Sequence, residues 1–215
     1  MSRRATVTPV KRPRRPTRDE LAAARDRTVP DLIAPRLRVL FVGINPGLYS
    51  GAVGHHFARP GNRFWRVLHA ARFTDGLVSP FDERRLLARG LGITNIVART
   101  TATAAELSPE ELRRGVRLLA AKVRRYRPRI VAFLGVSAFR VALGRPDAAL
   151  GCQPEPFAGA ALWVLPNPSG LNASYQLPAL TRLFARVQRA ARAPRKRHER
   201  TGRNPVRSRR GEAGG

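Results

Sequence analysis

The apolar positions of this chain fall into two rhythms. Leu37-Arg38-Val39-Leu40-Phe41-Val42 is a nearly unbroken apolar run stopped by Gly43. Runs of this length suit strands buried on both faces, as in a parallel sheet. Ile93–Val97, Ile130–Leu134 and Leu162–Leu165 have the same character. Between them the spacing becomes helical. Asn62 is placed to cap a helix that buries Phe64, Trp65 and Leu68, and Ser108-Pro109-Glu110-Glu111 joins an N-cap, a first-turn proline and a capping-box glutamate. Leu112, Val116, Leu119, Val123 and Tyr126 then follow at alternating four- and three-residue steps, one apolar stripe. Val136–Leu143 and Leu180–Val187 complete the helical segments. Strands alternating with helices predict a doubly wound α/β domain over about residues 31–190.

Ligands of open parallel sheets bind beyond the carboxyl ends of the strands. Two of these ends carry unusual loops, Gly43-Ile44-Asn45-Pro46-Gly47 and Pro166-Asn167-Pro168-Ser169-Gly170, and Thr94-Asn95 forms a milder third case. The site is expected where the three converge. The first loop is not a nucleotide cradle. It lacks G-x-G-x-x-G and Gly-Lys-Ser/Thr, and Pro46 removes an N–H where such loops need donors. Read alone, it is equally a plain strand-to-helix turn.

Charge changes the picture further. Among 215 residues there are 41 Lys and Arg against 14 Asp and Glu, a formal net charge of +27. Such a field favours a polyanion, and nucleic acid is the commonest. Residues 1–30 carry nine basic and three acidic side chains, and residues 191–215 carry nine and two. Both ends are poor in large apolar residues and are expected to be disordered basic tails that add affinity for phosphates, although Thr17-x-x-Glu20 could open a short helix. The single Cys152 excludes a disulfide framework, a structural zinc site and a four-cysteine cluster, and is expected to be inert. No apolar run approaches membrane-span length, and the prolines near the N-terminus argue against a transit peptide.

The loops also carry a resemblance. Gly43–Gly47 followed by Gly54-His55-His56-Phe57-Ala58-Arg59-Pro60-Gly61-Asn62-Arg63-Phe64-Trp65 resembles the signature of the mismatch-specific uracil/thymine-DNA glycosylases, within the uracil-DNA glycosylase superfamily. Gly92–Thr101 is similar to the family's second block and Trp163–Leu171 to its last, so the likeness spans about residues 36–190. It implies a three-layer α/β/α sandwich around a short parallel sheet. It also implies a monofunctional glycosylase that excises uracil or thymine mispaired with guanine, with no metal or cofactor. The expected partner is double-stranded DNA bearing a mismatch or deaminated base, and the expected enzyme is a cytoplasmic monomer. A relative acting on another damaged base and a non-catalytic DNA-binding module stay open as alternatives.

The resemblance distributes the roles. Asn45 matches the residue that positions water, a task an amide can perform although it cannot abstract a proton at neutral pH. Phe57 matches the aromatic that stacks on the flipped base. Backbone N–H groups around Ile44 and Phe57 are candidates to hold the oxygens of the departing base. Asn95 and Asn167 belong to the base pocket, Asn167 standing where the wider superfamily often has histidine. Gly47 and Ser50 are expected against DNA, and Ser169, Gly170 and Leu171 form the wedge loop, an apolar tip that fills the vacated stack. Asn172-Ala173-Ser174 departs from the Ser-Arg of bacterial members, which leaves contacts to the opposite strand less defined. His55 and His56, with no acidic cluster nearby in sequence, are expected in the pocket wall and not as metal ligands.

Overall fold

Val39–Gly43 is buried along its whole length, as a strand covered on both faces must be. It is β1 of a five-stranded sheet in the computed structural model, which describes residues 14–193. β2 (Leu91–Asn95), β3 (Ile130–Leu134) and β5 (Ala161–Leu165) run parallel to it, and the two-residue β4 (Gly151–Cys152) pairs antiparallel with β5 at the edge. The spatial order is β2-β1-β3-β5-β4. Because side chains alternate across a strand, each one feeds two cores. Val39, Phe41, Ile93, Ala132 and Leu165 pack with Phe64, Trp65, Leu68, Leu180 and Phe184 on one face. Leu40, Val42, Val131, Phe133 and Val164 pack with Leu112, Leu119, Val123 and Phe139 on the other. The result is the expected α/β/α sandwich, with one antiparallel edge strand added.

The helices follow their local signals. α3 (Phe64–Ala70) starts where the Asn62 side-chain Oδ1 accepts from the Phe64 N–H at 2.9 Å. α4 (Pro109–Tyr126) opens on the complete Ser108/Glu111 capping box, and α5 spans Val136–Leu143 as its apolar run predicts. α6 (Leu177–Arg192) extends beyond its predicted ends, with Pro178 in its first turn and Ala191 buried near its last. The short α2 (Leu48–Val53) and the 3-10 segment Pro80–Arg89 carry no apolar period that would betray them. β2 begins and ends earlier than its apolar run, and beyond its end the Ile96 and Val97 N–H groups still donate to the Gly43 and Ile44 carbonyls at 2.9 and 3.0 Å.

The expected tail boundary at residue 30 is corrected. Thr17 and Glu20 do form a capping box, opening α1 (Arg18–Ala22). The segment behind α1 then packs on the domain: Ala24 and Val29 are buried, and Thr28 bridges antiparallel to Arg99. Small apolar residues and backbone pairing anchor it, and neither registers as an apolar run. Residues 1–13 and 194–215, which hold the rest of both expected tails, lie outside the described residues.

Candidate active site

The chain leaves β1 for β2 on one side and returns to β3 on the other, so strand order reverses between β1 and β3. A crevice at the carboxyl ends follows from that reversal. Ile44 and Asn45 continue β1 into it. Gly135, just after β3, has φ of 129°, and a Cβ there would lie 3.2 Å from Ile44 Cδ1 and 3.8 Å from Asn167 Cβ. The ends of β1, β3 and β5 therefore meet.

Asn45 is half-buried and its amide has a fixed sense. Nδ2 donates to the Arg99 carbonyl at 3.1 Å, to the Thr101 hydroxyl at 2.7 Å and to the Pro46 carbonyl at 3.2 Å. Carbonyls only accept, so the –NH2 group must face them. Thr101 in turn donates to the Thr103 carbonyl at 2.7 Å, which leaves its oxygen to accept from Asn45. Asn45 Oδ1 takes no hydrogen bond from another described residue. It is the end of the amide left to accept one from water.

Phe57 sits at φ of 52°, a left-handed conformation that costs about 1–3 kcal/mol outside glycine and persists only where its surroundings enforce it. The enforcing groups are on either side. The His56 N–H donates to Glu83 Oε2 at 3.0 Å, and the Ala58 N–H donates to Ser50 Oγ at 3.2 Å. The Phe57 N–H between them has no partner among the described residues. The half-buried Phe57 ring stacks on Phe64 with centroids 4.2 Å apart. Its Cζ would lie 3.3 Å from a Cβ on Gly43, and the Asn95 amide oxygen would collide with that Cβ, so only glycine lets β1 pass between Phe57 and Asn95. Asn95 is buried, and its amide makes no hydrogen bond with another described residue. Ser50 carries a structural bond of its own. It is buried inside α2 and its oxygen accepts from the Ala58 N–H, so it shapes the Phe57 turn.

The β5 loop is held from below. Arg63, itself buried, donates to the Ser169, Asn172 and Tyr175 carbonyls, and its N–H donates to the Pro168 carbonyl at 3.0 Å. Asn167 Oδ1 accepts from the Ser169 N–H at 3.0 Å, and Ser169 Oγ accepts from the Leu171 N–H at 3.3 Å. Gly170 rests on the Gly61 carbonyl, 2.6 Å from where a Cβ would be. Leu171 at the tip is 73% exposed, and α6 begins only at Leu177. It is not a core leucine. Beside this loop a cleft of about 320 Å3 runs between Phe57 and Leu77, with Arg59 and Arg66 exposed at its rim.

Two titrating groups brace the site. Burial holds the His56 imidazole below its ordinary value, outweighing the opposing pull of Glu83. Its Nε2 lies 3.0 Å from the Pro30 carbonyl, which can only accept, so the neutral ring carries its proton there. His55 Nδ1 lies 3.0 Å from Glu83 Oε1. Both histidines are thus held within the protein, by Glu83 and the Pro30 carbonyl. The Glu111 carboxyl is pulled down to about 2, first by the Arg99 guanidinium and then by the Ser108 N–H. Arg99 donates to Glu111 from Nε and Nη2 at 2.7 and 3.0 Å. Among the described residues no three His, Cys, Asp or Glu side chains are grouped to hold a metal ion, and no helix is long and apolar enough to cross a membrane.

The crevice thus gathers Ile44, Asn45, Phe57, Asn95 and Asn167 at the carboxyl edge. Gly47 is exposed as the N-cap of α2, and Ser169, Gly170 and Leu171 stand on a clamped loop alongside. The sequence alone leaves Thr101, Glu83 and Arg63 without roles. Arg63 lies inside the first motif block. Glu83 offers one signal: it is an acidic residue left in a chain that has few.

Comparisons with known proteins bear on both the fold and the family. A solution structure from Methanosarcina acetivorans, provisionally described as a uracil DNA glycosylase, superposes with a TM-score of 0.51 at 18% identity, covering 76% of this chain and 98% of that one. At that identity the likeness speaks for the fold. The pattern of the uracil DNA glycosylase superfamily matches residues 30–191, from just ahead of β1 into the last turn of α6. That pattern covers the crevice, the Asn45 amide and the exposed Leu171 loop, and the chain belongs to the uracil DNA glycosylase superfamily.

Proposed function

We propose that this protein is a monofunctional DNA glycosylase that excises uracil, and with it thymine, opposite guanine in duplex DNA. The observation that carries the reading is the pinned amide of Asn45, its oxygen left without a partner among the described residues. A glycosylase must lift the base from the stack, at a cost of a few kcal/mol that is lowest for a mispaired base. Leu171 would fill the gap. Phe57 would stack on the extruded base, a contact worth roughly 1–3 kcal/mol. The C1′–N bond then breaks with its electron pair leaving on the base, and the sugar becomes cation-like. Asn45 Oδ1 accepts one O–H of a water and turns its lone pair toward C1′, where the new C–O bond forms. The water proton passes to solvent, since an amide cannot keep it. The Phe57 N–H and the Asn95 and Asn167 amides would offer donors to the developing charge on the base.

Matched duplexes carrying G·U, G·T, A·U or a deaminated purine, with single-stranded uracil alongside, test the reading. Excision should be fastest from G·U. Excision of the deaminated purine alone would move the protein to another substrate, and binding without excision of any base would make it a DNA-binding module.

A further inference from the structure

The segment ahead of β1 does more than cover the domain. Thr100, fully buried, is tied to it from both sides of its backbone and from its side chain. The Asp26 N–H donates to the Thr100 carbonyl at 3.1 Å, the Thr100 N–H donates to the Arg27 carbonyl at 2.8 Å, and the Thr100 hydroxyl donates to the Ala24 carbonyl. Asp26 also takes a bond from Arg99 Nη1 at 3.1 Å, and Arg25 pairs with Glu106 in the same loop. These ties act on residues 99–101. Two of those three residues supply the Arg99 carbonyl and Thr101 hydroxyl that hold the Asn45 amide. The Thr101 N–H returns to the Pro46 carbonyl at 3.2 Å, which closes the circuit around the loop bearing Asn45.

We infer that residues 24–28 form a strap that sets the position of Asn45 through Arg99–Thr101, with Thr100 and Asp26 as positioning residues for the excision reaction. The inference rests on the functional reading above and adds a component to it. The Asn45 amide accepts its orientation from two groups on one short irregular segment. That segment belongs to no strand or helix, so the strap takes the place of the sheet ladder in fixing it. A buried network of this kind holds its members only while every donor and acceptor is paired.

A reciprocal pair of variants separates positioning from packing. Thr100→Val keeps the shape that packs against Gly51 and removes the hydroxyl, whereas Thr100→Ser keeps the hydroxyl and removes the methyl. Val123→Ala, in the core beneath α4, supplies a destabilised control away from the strap. Single-turnover excision is measured on a G·U duplex below all melting temperatures, and affinity on the same duplex with a non-hydrolysable 2′-fluorinated uridine. The side-chain amide resonances of Asn45 are followed by NMR. Misplacing a reacting group by about 1 Å costs on the order of 100-fold, so Thr100→Val should lose about tenfold or more in rate with affinity unchanged and the Asn45 resonances shifted. Thr100→Ser and Val123→Ala should keep the wild-type rate. The strap role is overturned if Thr100→Val excises like wild type, or if Thr100→Ser is the slower of the pair. A wild-type protein that excises nothing from any duplex overturns the functional reading, and the strap role with it. An active wild type with an unaffected Thr100→Val overturns the strap alone.

Discussion

Asn45 and Leu171 carry opposite demands at the scale of the residue. In the proposed reaction Asn45 needs its amide protons engaged, as they are, so that its oxygen is left to meet water. Asn45→Ala should bind a G·U duplex as the wild type does and lose orders of magnitude in single-turnover excision. A variant within a few-fold of wild type would remove Asn45 from the reaction. Leu171 needs the reverse, freedom from the protein, and it has it at 73% exposure. Leu171→Ala should slow excision from duplex DNA and leave single-stranded uracil nearly untouched, because nothing there has to be unpaired. A buried leucine would cost about 2–5 kcal/mol on truncation. This one should leave the melting temperature almost unmoved, and a large drop in it would place Leu171 in the core after all. The residues of the motif blocks could be found in the sequence because each sits on a loop whose composition is unusual. Their supports could not. Arg99 and Thr101 reach Asn45 across more than fifty positions, and Arg63 reaches the wedge loop across more than a hundred.

Elements differ in how plainly they announce themselves for similar reasons. β3 and α5 match their predicted ends because an apolar run and a helical stretch each stop at a glycine or a charged residue. α2 escapes notice because glycine and serine weaken its local preference, and tertiary contacts decide it instead. α4 joins fold and site. Its capping residue Glu111 closes the first turn and grips Arg99 at once. The folded carboxyl titrates near 2 against an ordinary 4.5, so the unfolded chain takes up its proton first as the solution is acidified. The stability it contributes is complete above about pH 4.5 and disappears as the pH falls toward 2. His56 adds a second window. Its folded value lies below the ordinary 6.5, so its contribution is complete above about that pH and declines below it. Thermal unfolding between pH 8 and 3 should therefore show stability falling first below about 6.5 and more steeply below 4.5. Glu111→Gln should flatten the lower limb alone. An unchanged lower limb in that variant would mean the Arg99 pair contributes nothing to folding.

The whole molecule is a basic body with basic ends. Residues 1–13 and 194–215 carry four and eight of the Lys and Arg residues. Deleting both should weaken binding to any duplex and flatten its salt dependence, each lost phosphate contact removing about 0.9 from the log–log slope. The preference for mismatched over matched DNA should hardly change. A truncated protein that no longer distinguishes the two would show the ends reading more than charge. The deletion must stop short of residue 24, since from there the chain is bonded to Thr100. Charge and a scarcity of large apolar residues drew the expected boundary at residue 30, and backbone pairing with residues 99–100 moved it.

The amide at position 45 has a consequence for how the protein fails. An amide has no proton to gain or lose across the range in which proteins survive, so acid cannot switch off the group proposed to hold the water. His56 and Glu111 nevertheless withdraw their support from the fold as acid rises. Activity lost on the acidic side should thus be a loss of molecules and not of competence. Each chain still folded at pH 5 would turn over at the speed it had at pH 7, and the decline in rate would follow the folded fraction point by point.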